Sequence, residues 1–148
     1  MFIFQRFIPV MKNIATITIL LLLPAAMLTA QKRDSAIYKI LDPYYFHLTY
    51  LSEDPALMVD AREGFEYRRR RIKDAVHIPN VRSLNIAADT LTRDYSIFIY
   101  CTTDTRAIGA ARQFHERGFR KIYLLEGGLA LWRKEGMPLD RSRKRRGK

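Results

Sequence analysis

The run Ser96-Ile97-Phe98-Ile99-Tyr100, closed by Cys101, constrains this chain most. It is apolar on both alternations, so both faces of the strand must be covered, as in a parallel sheet sandwiched by helices. Two further runs read the same way, Ala56-Leu57-Met58-Val59-Asp60 and Lys121-Ile122-Tyr123-Leu124-Leu125. Helical stretches separate them. Val81 to Leu91 carries Leu84, Ala87, Ala88 and Leu91 at helical spacing. Ala107 to Phe114, after Arg106, runs toward Gly118 as a C-cap, and Leu129 to Glu135 is stopped by Gly136 and Pro138. Asp42-Pro43 starts an earlier helix through Tyr44, Phe46, Leu48 and Leu51, with Asp as cap and Pro in the first turn. Ala36 to Leu41 and Ala75 to Ile78 read as short strands, and Glu63 to about Arg70 as a polar helix. Strands alternating with helices define an α/β domain with a mainly parallel sheet.

In such sheets ligands bind at the carboxyl ends of the strands. Asp60 and Cys101 both stand at predicted strand ends, so one crevice is expected to receive both. Cys101 is the only cysteine, and it lies in a turn between a strand and a helix N-terminus. Unpaired amides and the helix dipole there favour a thiolate, the form that acts as a nucleophile. Asp60-Ala61-Arg62 is expected to support the loop, and Arg62 and Glu66 have the spacing of a helix-surface pair. His47, His77 and His115 show no partner pattern and read as structural or surface residues. Metal-ligand spacings and phosphate-binding glycine motifs are missing from the sequence, so no metal and no cofactor are expected.

The 148 residues suffice for one domain, read as residues 36–140. Residues 1–30 have the order of a secretory signal. Lys12 precedes an uncharged stretch from Asn13 to Ala30 with Leu20-Leu21-Leu22-Leu23, and small residues sit at the expected cut before Gln31. The same stretch is close to membrane-spanning length, so an N-terminal anchor is the alternative. The chain is thus expected to be exported, periplasmic or extracellular, or anchored. Met11 is an alternative start to Met1.

The net charge of +11 is concentrated in Arg68-Arg69-Arg70-Arg71 with Lys73, and in a tail at residues 141–148. The tail reads as a disordered basic segment with weak affinity for an anionic membrane surface. Specific nucleic-acid recognition is not expected, because no aromatic residues interleave with the tail.

Four blocks, in order, resemble the rhodanese family of single-domain sulfurtransferases. Asp60-Ala61-Arg62 with Glu66-Tyr67 resembles the early block, and Ala75-Val76-His77-Ile78-Pro79 the next. Tyr100-Cys101 to Arg106 resembles the active-site loop. Gly118-Phe119, Leu125-Glu126-Gly127-Gly128, Trp132, Gly136 and Pro138 resemble the closing block. The resemblance implies a five-stranded, mostly parallel sheet with helices on both faces. It implies that Cys101 carries a sulfane sulfur as a persulfide, taken from an anion such as thiosulfate and passed to a small or protein thiol acceptor. The loop Thr102, Thr103, Asp104, Thr105 would cradle the anionic sulfur with its amides, and Arg106 would face the substrate anion.

The chain departs from the family pattern at Thr103-Asp104, where a small residue and Gly are common, and at Arg70-Arg71 and Asp74. Asp104 is expected to cost backbone freedom unless it tolerates a left-handed conformation, and to set a negative charge against the thiolate. Phosphatases and arsenate reductases of this fold have five residues between Cys and Arg. Here there are four, which favours sulfur over phosphate. A non-catalytic rhodanese-like binding module is the alternative from a different class.

Overall fold

The computed structural model describes residues 37–140. The expected secretory or anchoring segment at residues 1–30 and the basic tail at 141–148 lie outside the described residues.

The polypeptide alternates strand and helix through β1 (Lys39–Leu41), α1 (Pro43–Ser52), β2 (Ala56–Asp60), α2 (Gly64–Arg69), β3 (Val76–His77), α3 (Val81–Thr90), β4 (Ser96–Tyr100), α4 (Thr105–Glu116), β5 (Lys121–Leu125) and α5 (Gly128–Lys134). The strands form one sheet in the order β1-β5-β4-β2-β3, and every pairing is parallel. Among the described residues the antiparallel element is a single bridge, Arg71 with Asp140. The fully apolar run Ser96 to Tyr100 occupies the centre, where every residue is buried.

Alternate residues of the central strands feed two cores, as a pleat with period two requires. Val59, Ile97, Ile99, Ile122 and Leu124 pack under Leu84 and Ala88 of α3 and Ala107, Ala111 and Phe114 of α4. Met58, Phe98, Tyr100 and Leu125 pack under Phe46 of α1 and Leu129 and Trp132 of α5. The domain is therefore a three-layer α/β sandwich, as the strand and helix pattern requires.

Several boundaries follow local chemistry. The Asp42 carboxylate accepts the Tyr45 N–H at 3.0 Å and caps α1. Asn80 caps α3 by accepting the Ser83 N–H at 3.0 Å. The turn before β2 holds a cis Asp54–Pro55 peptide, and the Pro55 carbonyl accepts the Ser96 N–H at 2.9 Å. The helix expected after Arg106 starts one residue before it, at Thr105, because the turn out of β4 is completed within four residues.

Trp132 fixes α5 to the sheet. Its ring is fully buried, meets Phe46 edge-on at 6.3 Å, and its indole N–H donates to the Pro138 carbonyl at 2.9 Å. Trp132→Ala is expected to lose about 3–5 kcal/mol of stability, the usual range for emptying an aromatic core site. Chemical denaturation would show it as a lower midpoint. A loss below about 1 kcal/mol would mean that α5 is held by other contacts.

Candidate active site

Cys101 is the first residue past β4, at the carboxyl end of the sheet. From there the chain turns through Thr102, Thr103 and Asp104 into α4. This loop is seated on the start of α5. The Leu129 N–H donates to the Cys101 carbonyl at 2.8 Å, and the Ala130 N–H to the Thr102 carbonyl at 3.3 Å. The close approach requires glycine at position 128. A Cβ there would lie 2.3 Å from the Thr103 carbonyl oxygen and 2.5 Å from that of Cys101, and φ is +55°. Read along the chain, Gly127-Gly128 is only punctuation before a helix. Its contact with a loop some 25 residues upstream is a tertiary fact, so its part in the site was missed.

The Cys101 side chain is 1% exposed, and its S–H donates to the Thr103 carbonyl at 3.0 Å. The first-turn amides of α4 have no intrahelical acceptor by helix geometry. Ile108 is the first to find one, donating to the Asp104 carbonyl at 3.0 Å. Thr102, Thr103, Asp104 and Thr105 are all exposed, so this amide-rich turn opens to solvent beside a buried sulfur. Asp104 does not adopt a left-handed backbone; its φ is −120° and ψ −28°. Among described non-glycine residues the positive φ falls on Asp74 at 63°. The Asp104 carboxylate makes no capping hydrogen bond.

Behind Cys101 lies a buried ionic network. Asp60 and Arg62 are 0% and 4% exposed. Arg62 donates to the Asp60 carboxylate from Nε at 2.9 Å and Nη2 at 2.6 Å, and from its backbone N–H at 3.0 Å. The Tyr100 hydroxyl donates to the same carboxylate at 2.7 Å and accepts the Ile72 N–H at 3.0 Å. Arg62 Nη2 also donates to the Arg70 carbonyl at 2.6 Å. Burial pulls the Arg62 pKa down, but hydrogen bonding and attraction to Asp60 outweigh it and hold the guanidinium charged. Burial, reinforced by the Asp60 charge, pushes the Tyr100 phenol far above its ordinary value and keeps it a donor.

The network ties the end of β2 to the residue before Cys101. The helix-surface pair that the spacing of Arg62 and Glu66 would allow does not form. Residue 62 precedes α2, which starts at Gly64, so helical spacing does not apply and the guanidinium turns inward to Asp60. The Arg62 carbonyl meets His77 Nε2 at 2.8 Å, and the His77 ring stacks on Tyr67 at 4.7 Å, a structural duty for that histidine.

Glu66 instead faces the loop. It accepts the Thr102 hydroxyl and lies 3.3 Å from Arg106 Nη2, whose Nη1 is 3.5 Å from Glu63. Burial raises the Glu66 carboxyl pKa, but the Thr102 hydroxyl, the Glu63 backbone and Arg106 together hold it below its ordinary value. Arg106 is thus shared by two carboxylates and lies 41% exposed. A cleft of about 380 Å³ opens next to Thr102, between α2 and α5, and its basic side chains are Arg62, Arg69, Arg70 and Arg133. Arg106 is not among its lining residues. Groups of three or more His, Cys, Asp or Glu able to hold a metal are absent among the described residues.

The model of the rhodanese-like domain matches residues 48–135, so the chain belongs to the rhodanese-like domain family. An uncharacterised protein of Synechocystis is 33% identical over 86 residues, which cover 58% of this chain and 48% of that protein. A tRNA uridine(34) hydroxylase of Sodalis glossinidius is 32% identical, covering 60% of this chain but 28% of the relative. The thiosulfate sulfurtransferase GlpE of Actinobacillus pleuropneumoniae is 24% identical, covering 61% of this chain and 82% of the relative. The chain thus spans about half or less of the length of the first two relatives. The solution structure of a rhodanese-like domain from Anabaena shares the fold, with a TM-score of 0.60 and 24% identity, over 72% of this chain and 82% of that one.

Three outcomes follow from this geometry. Asp60→Ala leaves Arg62 buried without its counter-charge, and is expected to lose about 3–5 kcal/mol in denaturant unfolding. Gly128→Ala must displace the loop, and is expected to speed labelling of Cys101 by a thiol reagent under native conditions; unchanged labelling would contradict the seating on α5. The Glu66 carboxyl has a lowered pKa in the folded state, so its stabilisation is present above the ordinary value of 4.5 and is lost as pH falls through the folded value. The stability difference between wild type and Glu66→Gln should therefore shrink on acidification in that window. A difference independent of pH would show that the charge of Glu66 does not hold the loop.

Proposed function

We propose that the protein is a sulfurtransferase that carries a sulfane sulfur on Cys101. The observation that supports this reading best is the setting of the single thiol. It lies at the carboxyl end of the central strand, beneath an exposed turn of amides whose backbone is fixed by Leu129 and Ala130. Its family membership and the named sulfurtransferase relative favour the same chemistry.

In the first half-reaction the Cys101 thiolate attacks the outer sulfur of thiosulfate. A new S–S bond forms, the S–S bond of the donor breaks, and sulfite leaves with the electron pair. The first-turn amides of α4 stabilise the anionic persulfide as an oxyanion hole stabilises an alkoxide. In the second half a thiophilic acceptor attacks the terminal sulfur, and Cys101 leaves as thiolate. Thr102, Thr103, Asp104 and Thr105 line the turn. Asp60 and Arg62 keep its base rigid, and Arg106 positions Thr102 through Glu66.

The buried S–H bonded to Thr103 favours a second reading, a binding module with a silent cysteine. Steady-state kinetics with thiosulfate and cyanide separate the two. The sulfurtransferase forms thiocyanate with the parallel double-reciprocal lines of a ping-pong mechanism, and Cys101→Ser abolishes it. Thiocyanate formation that survives in Cys101→Ser, or that never exceeds the uncatalysed rate, would defeat the proposal. Export through residues 1–30 and membrane contact through residues 141–148 are also proposed. A mature N-terminus at Gln31 would support the first. Unchanged vesicle binding after truncation beyond Asp140 would contradict the second.

A further inference from the structure

The cleft beside the loop holds more positive charge than the fold uses. Of its arginines, Arg62 is already paired with Asp60 through Nε and Nη2, and Nη2 also donates to the Arg70 carbonyl. The guanidinium groups of Arg69, Arg70 and Arg133 have no carboxylate partner among the described residues. Arg69 in the last turn of α2, Arg70 as its C-cap and Arg133 in the last turn of α5 line one concave space, where their like charges repel each other. Glu66 also lines the cleft, but its carboxylate is engaged by Thr102 and Arg106. Phe65, an exposed aromatic, and Leu129 give the cleft an apolar side. Its volume of about 380 Å³ falls in the range of small-molecule sites, roughly 300–1,000 Å³.

From this juxtaposition of three unpaired guanidinium groups with the Thr102 edge of the loop, we propose that the cleft binds a phosphate group carried by an organic thiol, the acceptor of the Cys101 sulfur. The proposal rests on the sulfurtransferase reading. Guanidinium groups bind phosphate through paired, charge-assisted hydrogen bonds, and a dianion engages more than one of them at once. A singly charged carboxylate leaves most of the cluster uncompensated. The organic part of the acceptor lies along Phe65 and Leu129, and its thiol reaches the loop past Thr102. There its thiolate attacks the terminal sulfur of the persulfide. The bond between the two persulfide sulfurs breaks, Cys101 departs with the electron pair, and the acceptor leaves as a persulfide. No outside oxidant or reductant is needed.

Two measurements on the full chain test this. Calorimetric titration of Cys101→Ser with pyrophosphate reads the anion site without requiring a persulfide. Saturable binding at one site is expected, weakened about tenfold or more in the added presence of Arg69→Ala and Arg133→Ala. The same titration with Arg82→Ala and Arg117→Ala, which remove equal charge elsewhere, should be unchanged. Second, the persulfidated wild type is offered 2-mercaptoethyl phosphate or 2-mercaptoethanol. The phosphate-bearing thiol should have the lower KM by about tenfold, and the Arg69→Ala/Arg133→Ala protein should lose that preference. Absent pyrophosphate binding, equal weakening by the control pair, or equal KM values would each overturn the proposal. Failure of Cys101 to accept sulfur overturns the sulfurtransferase reading and with it the acceptor role, while the pyrophosphate titration still reports on the cleft by itself.

Discussion

Everything at the carboxyl end of this sheet leans on the buried pair of Asp60 and Arg62. A carboxylate with no exposure is tolerable only when its charge and lone pairs are matched. Here Arg62 supplies the charge and three N–H contacts, and the Tyr100 hydroxyl supplies another donor. Tyr100 is the last residue of β4, so the network that neutralises Asp60 also fixes the chain at the point where Cys101 emerges. Through its second contact Arg62 also fixes Arg70, at the end of α2. One ionic cluster thereby sets both the base of the Cys101 loop and a wall of the neighbouring cleft.

The loop gains rigidity from the other side by a different device. Two amides of α5 hold the Cys101 and Thr102 carbonyls, and Gly128 lets the backbones touch. The Cys101 and Thr102 carbonyls are thereby turned toward α5. The outer rim is looser. Thr102 and Arg106 are braced by Glu66 across an exposed surface, where ion pairs are weak and sensitive to pH and salt. The sulfur thus sits between a stiff floor and an adjustable rim.

Much of the fold was legible in the chain because its strands are buried on both faces. Ala56 to Asp60, Ser96 to Tyr100 and Lys121 to Leu125 stand at the boundaries the structure gives them. Asp42-Pro43 announced a helix by its capping chemistry, and the spacing of Leu84, Ala87, Ala88 and Leu91 announced another. The two-residue β3 was harder to bound, because a strand that short is defined by its neighbour rather than by its own pattern.

At the site, the lone thiol in a strand-to-helix turn was readable from residue type and position. The partners were not. Arg62 turned to Asp60 rather than Glu66, because a rule for helices fails two residues before a helix starts. The strained backbone lay at Asp74 and not Asp104. The contact of Gly128 with the loop, and the convergence of Arg69, Arg70 and Arg133, depend on how α2 and α5 pack across the cleft. The central claim of the account is sulfur carriage by Cys101 in a rhodanese-like domain. Intact-mass analysis of the full protein after incubation with thiosulfate measures it most directly. The account predicts that wild type gains the mass of one sulfur atom, that cyanide removes it, and that Cys101→Ser never gains it. A wild-type mass unchanged by thiosulfate would contradict the account.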